Sequence, residues 1–123
     1  MLRKAVVIDD DKVTIAILTR ILKNAEFEVV SAADGVSGVE CVFREKPDLV
    51  VTDLLLPRLD GFGVCAKIKA DAALSGVKLV IMTALQNFAF QNEARNCGAD
   101  LILQKPISRE KLQEALDRFF PAS

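Results

Sequence analysis

Short β-branched runs alternate with helical segments along this whole chain, and that alternation restricts the folds available to it. The predicted strands are residues 5–8, 28–32, 48–53, 77–83 and 100–105. The predicted helices are residues 13–25, 35–46, 61–71 and 87–97, with a last one after Ser108. Runs such as AVVI at 5–8 are too short for helices and are typical of strands buried on both faces. Five strand–helix repeats predict an α/β fold, a doubly wound five-stranded parallel sheet with helices on both faces.

The first helix carries the clearest apolar periodicity. Its predicted core stripe consists of Thr14, Ile17, Leu18, Ile21, Leu22 and Ala25. Asp60 and Ser108 stand where N-caps of later helices are expected, because their side-chain oxygens can accept from free backbone N–H groups. We see no linker, repeat or low-complexity tract, so residues 1–123 are expected to form a single domain without an output domain.

Composition excludes several functional classes. Sixteen Lys and Arg balance 17 Asp and Glu, giving a net charge of −1, which argues against nucleic acid as the direct partner. The chain has no His, which removes His-based catalysis, metal ligation by His and any role as a phosphohistidine carrier. No apolar run could span a membrane or serve as a signal peptide, so a cytoplasmic location is expected. The three cysteines are widely spaced and are expected to be reduced structural thiols.

Charged and polar side chains follow the strands at the point where each strand ends. Asp9, Asp10 and Asp11 follow strand one, and Asp53 ends strand three. Thr83 ends strand four and Lys105 ends strand five. In a doubly wound sheet these carboxyl ends share one edge, where binding sites gather. Several carboxylates together stay ionised only near a cation, and one lysine cannot balance three of them, so a divalent ion such as Mg²⁺ is indicated.

An ordinary structural role competes with this interpretation for each residue alone. An Asp after a strand is most often the N-cap of the following helix, and Asp11 is best interpreted that way. The N-cap explanation does not account for the whole set of carboxylates. Both possibilities stay open for any single position.

The motifs resemble those of the receiver domains of bacterial two-component response regulators. The resemblance rests on VVIDDD (6–11), VVTDLLLPRLDG (50–61), VIMTA (80–84) and LILQKPI (101–107), in this order across essentially the whole chain. It implies a flavodoxin-like strand order 2-1-3-4-5 and a cis bond before Pro106. It also implies that Asp53 accepts a phosphoryl group from a phosphohistidine. A carboxylate can do this by forming an aspartyl phosphate.

The same resemblance implies the remaining roles at the site. Asp9, Asp10, Asp53 and the backbone carbonyl of Leu55 would hold Mg²⁺, with Mn²⁺ as a possible substitute. Lys105 would neutralise phosphoryl charge and Thr83 would donate a hydrogen bond. Thr83, Ala84 and residue 102 would form the conformational switch.

Three positions depart from the family pattern. Leu55 and Leu85 are apolar where relatives often have polar residues, so we expect the phosphorylated form to lose its phosphoryl group slowly. Ile102 stands where the family usually has an aromatic residue that swings inward. The response is therefore expected to be a smaller shift of the loop that follows strand four, which biases an existing equilibrium.

The expected partners are proteins. A sensor histidine kinase or a histidine phosphotransfer protein would donate the phosphoryl group, and an unknown downstream protein would read the result. Ile15, predicted to lie off the core stripe, is a candidate for donor docking, and Phe88 for the output surface. Scattered exposed apolar residues are also normal without any partner. A monomer or weak homodimer is expected.

Alternative functions use the same residues differently. A phosphohydrolase of the haloacid dehalogenase type would use Asp9 as nucleophile and Asp11 as acid–base, but no acidic pair follows Lys105 and no segment is long enough for a cap. A flavin or nucleotide module would need phosphate-binding amides rather than three carboxylates after strand one. A phosphorylation-independent interaction module would not need the complete acidic set. The expectation is therefore a signalling switch rather than a turnover enzyme.

Overall fold

The computed structural model describes residues 2–84, 92 and 96–121. Five strands lie within this part of the chain: β1 (Arg3–Ile8), β2 (Phe27–Ala32), β3 (Leu49–Asp53), β4 (Lys78–Thr83) and β5 (Leu101–Gln104). The α-helices whose bounds fall within the described residues are α1 (Lys12–Asn24), α2 (Gly35–Glu45), α3 (Gly61–Lys69) and α4 (Arg109–Phe119), with a short 3₁₀ helix at Ala72–Leu74. Most of the helix predicted over 87–97 lies outside the described residues.

All five strands pair in parallel, in the order β2-β1-β3-β4-β5. The central strands are apolar and buried along almost their full length. Such strands need cover on both faces, which explains their β-branched composition. The predicted α/β architecture and strand order are confirmed.

Alternate residues of each strand feed two separate cores. Val6, Ile8, Val50, Leu79 and Ile81 face α2 and α3. The intervening residues, including Val7, Val51 and Met82, pack with apolar residues of α1 and α4. This two-sided burial fixes the sheet, so its carboxyl edge is a rigid platform for the residues that follow the strands.

Side-chain caps begin the helices at that edge. The carboxylates of Asp11, Asp34 and Asp60 accept from backbone N–H groups at the starts of α1, α2 and α3. Ser108 caps α4 in the same way, as predicted. None of the helices within the described residues is long and apolar enough to cross a membrane.

The predicted core stripe of α1 is wrong at one position. Ile17 is 50% exposed, whereas Ile15 is partly buried and packs against the core formed with α4. The helix thus turns Ile15, Leu18 and Leu22 inward, at spacings of three and four residues. An apolar helix with two neighbouring stripes does not reveal from periodicity alone which stripe faces the sheet. Val13, at 65% exposed, lies on the outside as predicted.

Candidate functional site

Three carboxylates converge at the carboxyl edge of the sheet. Asp9 follows β1 and is fully buried, Asp10 beside it is exposed, and Asp53 ends β3 with a side chain 14% exposed. One carboxylate oxygen from each lies within 4.8 Å of the others. The parallel pairing of β1 with β3 sets this distance, because it places the ends of the two strands side by side. These side chains were predicted to meet, and they do.

Lys105 reaches into the cluster from the end of β5. Its Nζ lies 3.0 Å from Oδ2 of Asp9 and 3.4 Å from Oδ2 of Asp53. The Lys105 backbone N–H donates to the carbonyl of Thr83 at 2.8 Å. The Lys105–Pro106 peptide is cis, as the resemblance implied. One ammonium therefore serves two of the three carboxylates.

Backbone donors fix the orientation of the two inner carboxylates. Oδ1 of Asp9 accepts from the N–H of Asp11, and Oδ1 of Asp53 accepts from the N–H of Leu54, each at 2.9 Å. Each side chain thus uses one oxygen to hold its own loop and presents the other to Lys105. Charge-assisted bonds of this kind are among the stronger ones in proteins and restrict the carboxylates to one arrangement.

The electrostatics of the cluster favour an additional cation. Burial, and then the nearby charge of Asp9, raise the pKa of Asp53, although Lys105 opposes this. Burial disfavours the charged form of Lys105, but the hydrogen bond to Asp9 and the charges of both carboxylates prevail and raise the pKa of Lys105. Three carboxylates converge here and Lys105 is the one ammonium paired with them among the described residues, so negative charge is in excess. Three convergent carboxylates are the hard oxygen ligands that suit Mg²⁺.

The other predicted residues lie around this cluster. Thr83 ends β4 and is buried, and Ala84 follows it at the surface. Leu55 lies in the loop after Asp53 and is 64% exposed. Ile102 is half-buried and packs against the core shared with α2 and α3. Two further predicted positions, Leu85 and Phe88, lie outside the described residues.

Asp11 does not join the acidic cluster. Its carboxylate accepts from the N–H of Val13 and the hydroxyl of Thr14, at 3.0 and 2.9 Å. The N-cap interpretation of Asp11 is confirmed. A carboxylate used in this way is poorly placed as an acid–base, which counts against the phosphohydrolase alternative.

A surface cavity beside Lys105 was not predicted. Its volume is about 330 Å³, and its lining consists of Thr14, Ile17, Leu18, Ala84, Lys105, Pro106 and Ile107. The sequence did not reveal it, because Ile17, which lines it from α1, was assigned to the core stripe. This cavity places apolar surface directly next to the acidic cluster.

Comparison with known proteins gives the family. The sequence profile of the response regulator receiver domain matches residues 5–117. The chain belongs to the response regulator receiver family. Domains of this family are signalling switches and not turnover enzymes, and they receive phosphoryl groups from sensor histidine kinases. The predicted family is therefore confirmed.

Individual relatives place this receiver domain in context. It is 37% identical over 110 residues to the "Probable transcriptional regulator ycf27" of Porphyridium aerugineum, a match that covers 89% of this chain and 45% of that regulator. It is 29% identical over 119 residues to protein PilG of Pseudomonas aeruginosa, covering 97% of this chain and 88% of PilG. The chain spans about half the length of most of the curated relatives it matches.

Solved structures support the fold of this receiver domain. The receiver domain of the sensor histidine kinase PA1611 from Pseudomonas aeruginosa superposes with a TM-score of 0.88 at 24% identity, covering 99% of this chain and 100% of that one. That structure has a magnesium ion coordinated in its active-site cleft. At this identity the likeness establishes the shared fold.

Proposed function

We propose that Asp53 accepts a phosphoryl group from a phosphohistidine of a sensor histidine kinase or histidine phosphotransfer protein, and that this changes the protein contacts of the domain. The observation that carries the proposal is the convergence of Asp9, Asp10 and Asp53 within 4.8 Å, with Lys105 bonded to Asp9 and close to Asp53. A single Asp that only capped a helix would not need two further carboxylates and a lysine beside it.

The acidic cluster would hold Mg²⁺, or Mn²⁺ in its place. Asp9, Asp10 and Asp53 would each supply an oxygen, and the backbone carbonyl of Leu55 would supply a fourth. The magnesium-bound PA1611 receiver domain supports this assignment. When bound, the ion neutralises charge on the phosphoryl oxygens. The residues of this chain would position the phosphoryl group and the Asp53 carboxylate for transfer.

Transfer would exchange one bond to phosphorus for another. An oxygen of the Asp53 carboxylate attacks the phosphorus, and the bond from phosphorus to the donor imidazole nitrogen breaks as the acyl phosphate forms. Lys105, 3.4 Å from Oδ2 of Asp53, can offer its ammonium to a phosphoryl oxygen. The Thr83 hydroxyl would donate to another. Phosphoryl transfer requires little beyond such positioning and charge neutralisation.

The conformational response would involve Thr83 and Ala84. Ile102 packs into the core between the sheet and the α2–α3 layer, and it lacks the ring of the aromatic residue that the family commonly has there. Movement of the Thr83–Ala84 segment toward the phosphoryl group would then carry the signal by biasing two existing states. A downstream protein would bind the phosphorylated state selectively. The domain itself would be a monomer or a weak homodimer.

The phosphodonor would dock on the outer face of α1. Val13 and Ile17 are exposed there, and Ile17 lines the cavity with Pro106 and Ile107, next to Lys105. Because Ile15 is partly buried, Ile17 replaces it as the candidate residue for docking of the phosphodonor. Ile17→Asp should slow transfer from the kinase while leaving phosphorylation by a small acyl phosphate unchanged. Equal slowing of both reactions would contradict docking at this face.

The phosphorylated form is proposed to be long-lived. Leu55 is 64% exposed beside the cluster and cannot orient an attacking water by hydrogen bonding. Leu55→Asn, alone and with Leu85→Glu, should accelerate loss of phosphate, measured as release of inorganic phosphate after the donor is removed. An unchanged rate of phosphate release would contradict the proposal that these leucines make the phosphorylated form long-lived.

The proposal as a whole is tested with acetyl phosphate and Mg²⁺. Intact mass should rise by one phosphoryl group for the wild type and not for Asp53→Asn. Omitting the metal, or adding a chelator, should prevent the gain. Labelling of the Asp53→Asn protein to the same extent would contradict the assignment.

A further inference from the structure

The loop that carries Leu55 is held from outside the acidic cluster. Residues 54–60 connect β3 to α3, and one end is fixed by Gly61, whose N–H donates to the Leu54 carbonyl at 2.8 Å. A Cβ on Gly61 would lie 2.6 Å from the carbonyl oxygen of Asp53. The close approach of glycine backbone to this loop is therefore part of how Asp53 is placed.

The far side of the loop rests on the start of α2. The N–H of Gly35 donates to the Pro57 carbonyl at 3.3 Å. A Cβ at position 35 would overlap the Leu59 carbonyl oxygen and lie 2.7 Å from the Leu59 carbonyl carbon. Because the obstacle is backbone, no side-chain rotation can relieve it. Either the loop or the helix must move.

The start of α2 is held by its own cap and by close packing on the sheet. Asp34 caps α2 by accepting from the N–H and hydroxyl of Ser37, at 2.8 and 3.0 Å. One turn on, a Cβ on Gly38 would lie 2.5 Å from the end of the Ile8 side chain, so this part of α2 already lies as close to the sheet as it can. A side chain at position 35 would therefore force the loop and the start of α2 apart and so change the position of the loop relative to the helix.

A charged contact ties the loop to the same point. Arg58 adopts a left-handed backbone conformation, φ 70°, which is unfavourable for a residue with a Cβ. Its Nη1 lies 3.5 Å from Oδ2 of Asp34. Because the Arg58 side chain is largely exposed, the pair is a weak attachment. It nonetheless joins the loop to the residue that caps α2.

We propose that Gly35 is a positioning residue for metal binding: by admitting the backbone at Pro57 and Leu59, it sets the place of the loop and thus of Leu55 and Asp53 relative to Asp9. This inference rests on the proposed Mg²⁺ site. Residues behind metal ligands commonly change metal affinity by 10–100-fold, so Gly35→Ala should weaken Mg²⁺ binding about tenfold. Arg58→Asn, which tolerates the left-handed backbone but removes the guanidinium, should weaken it about two- to fivefold.

Two control variants separate positioning from general instability. Gly76 has no atom within 4 Å of an added Cβ, so Gly76→Ala adds the same methyl group without a collision. Leu116 is buried in the core on the opposite side of the sheet, so Leu116→Ala should destabilise the protein without touching the loop. Both should bind Mg²⁺ as the wild type does.

The experiment is a calorimetric titration of Mg²⁺ into each folded protein, with denaturant unfolding to correct for any unfolded fraction. Weakened binding in Gly35→Ala, with unchanged binding in both controls, is the expected result. Should Gly35→Ala fail to fold, Arg58→Asn provides the decision by the same titration. Equal affinity for the wild type and the two loop variants would overturn the inference, as would equal weakening by Leu116→Ala. A wild type that binds no Mg²⁺ would instead overturn the proposed metal site.

Discussion

The two ends of the sheet differ in how their charged side chains are paired. At the amino ends of the strands, Lys4 pairs with Glu45 at 3.1 Å, and Asp48 accepts the backbone N–H of Lys4 at 2.9 Å. Lys69 pairs with Asp100 at 3.3 Å beside the start of β4. At the carboxyl ends, three carboxylates share one ammonium. Charge is matched at one end and left in excess at the other.

The two ends of the sheet also differ in how apolar side chains cover them. The amino end is covered by an aromatic cluster in which Phe27 and Phe120 lie 5.7 Å apart, ring centre to ring centre, and Arg3 stacks over Phe120 at 4.9 Å. The carboxyl end has an open cavity beside Lys105. The packed aromatic cluster thus lies at the opposite end of the sheet from the acidic side chains, and the unbalanced charge lies where a cation and a phosphoryl group could enter.

The largest effect on stability should come from the aromatic end. Phe27 is buried against α1 and α4, and Phe27→Ala should cost about 3–5 kcal/mol in the free energy of unfolding. Denaturant unfolding measures this loss. If the two ends are independent, the Mg²⁺ affinity of the folded variant should equal that of the wild type. A large change in Mg²⁺ affinity would show that the ends are coupled.

At the acidic end, a substitution should change Mg²⁺ affinity and leave stability almost unaffected. Asp10 is exposed and makes little contribution to packing, so Asp10→Asn should leave the free energy of unfolding nearly unchanged. Mg²⁺ affinity should nevertheless fall at least about tenfold, because even changes behind the ligands cost this much. Calorimetric titration checks the affinity, with Asp71→Asn at a distant helix cap as a matched control. Equal affinity of wild type and Asp10→Asn would remove Asp10 from the site.

A stabilising substitution is expected at Asp53. Burial and the charge of Asp9 raise the pKa of Asp53, so the folded state binds a proton there more tightly than the unfolded state does. Stability of the wild type therefore falls as the pH rises from the ordinary value of 3.8 through the raised pKa. Asn does not titrate, so Asp53→Asn should be more stable at neutral pH. The gain should be at most about 1 kcal/mol, the scale of two unit charges about 4 Å apart in water, because Lys105 offsets part of the repulsion.

Added Mg²⁺ should reverse that order. The ion stabilises only a folded protein that binds it, so saturating Mg²⁺ should raise the unfolding free energy of the wild type more than that of Asp53→Asn. Urea unfolding of both proteins, with and without Mg²⁺, makes the comparison. A wild type that is the more stable protein without any divalent ion would contradict the excess of negative charge.

The smallest effect belongs again to the amino end. Lys78 Nζ lies 5.8 Å from the centre of the Phe119 ring. Lys78→Met should keep most of the packing of the side chain and lose the cation–π attraction, at a cost of about 0.5 kcal/mol. Thermal and urea unfolding can resolve this change. A loss as large as that of Phe27→Ala would mean that the charge, and not the aromatic packing, closes this end.

The sequence predicted the fold and the central residues of the site for a physical reason. Parallel strands must bring their carboxyl ends together, so Asp9, Asp53 and Lys105 could be placed at one edge from strand positions alone. The cap at Asp11 followed equally from local chemistry. These features depend on chain order and backbone hydrogen bonding, which a single sequence records.

Features that depend on tertiary packing were harder to predict. Which stripe of α1 faces the sheet depends on how the helix packs, and Ile15 and Ile17 exchanged places relative to the prediction. The support of the loop by Gly35 is a contact between backbones distant in sequence, and no periodicity indicates it. The roles of Leu85 and Phe88 remain predictions, because both lie outside the described residues.

Locating the phosphoryl group tests directly whether Asp53 is the residue that accepts it. After incubation with acetyl phosphate and Mg²⁺, borohydride reduces an acyl phosphate to the alcohol and so converts the modified aspartate to homoserine, which peptide mass mapping can find. Homoserine is expected at position 53 alone, and none is expected when Mg²⁺ is withheld. Homoserine at position 9 or 10 instead, or a protein that takes up no phosphoryl group, would contradict it.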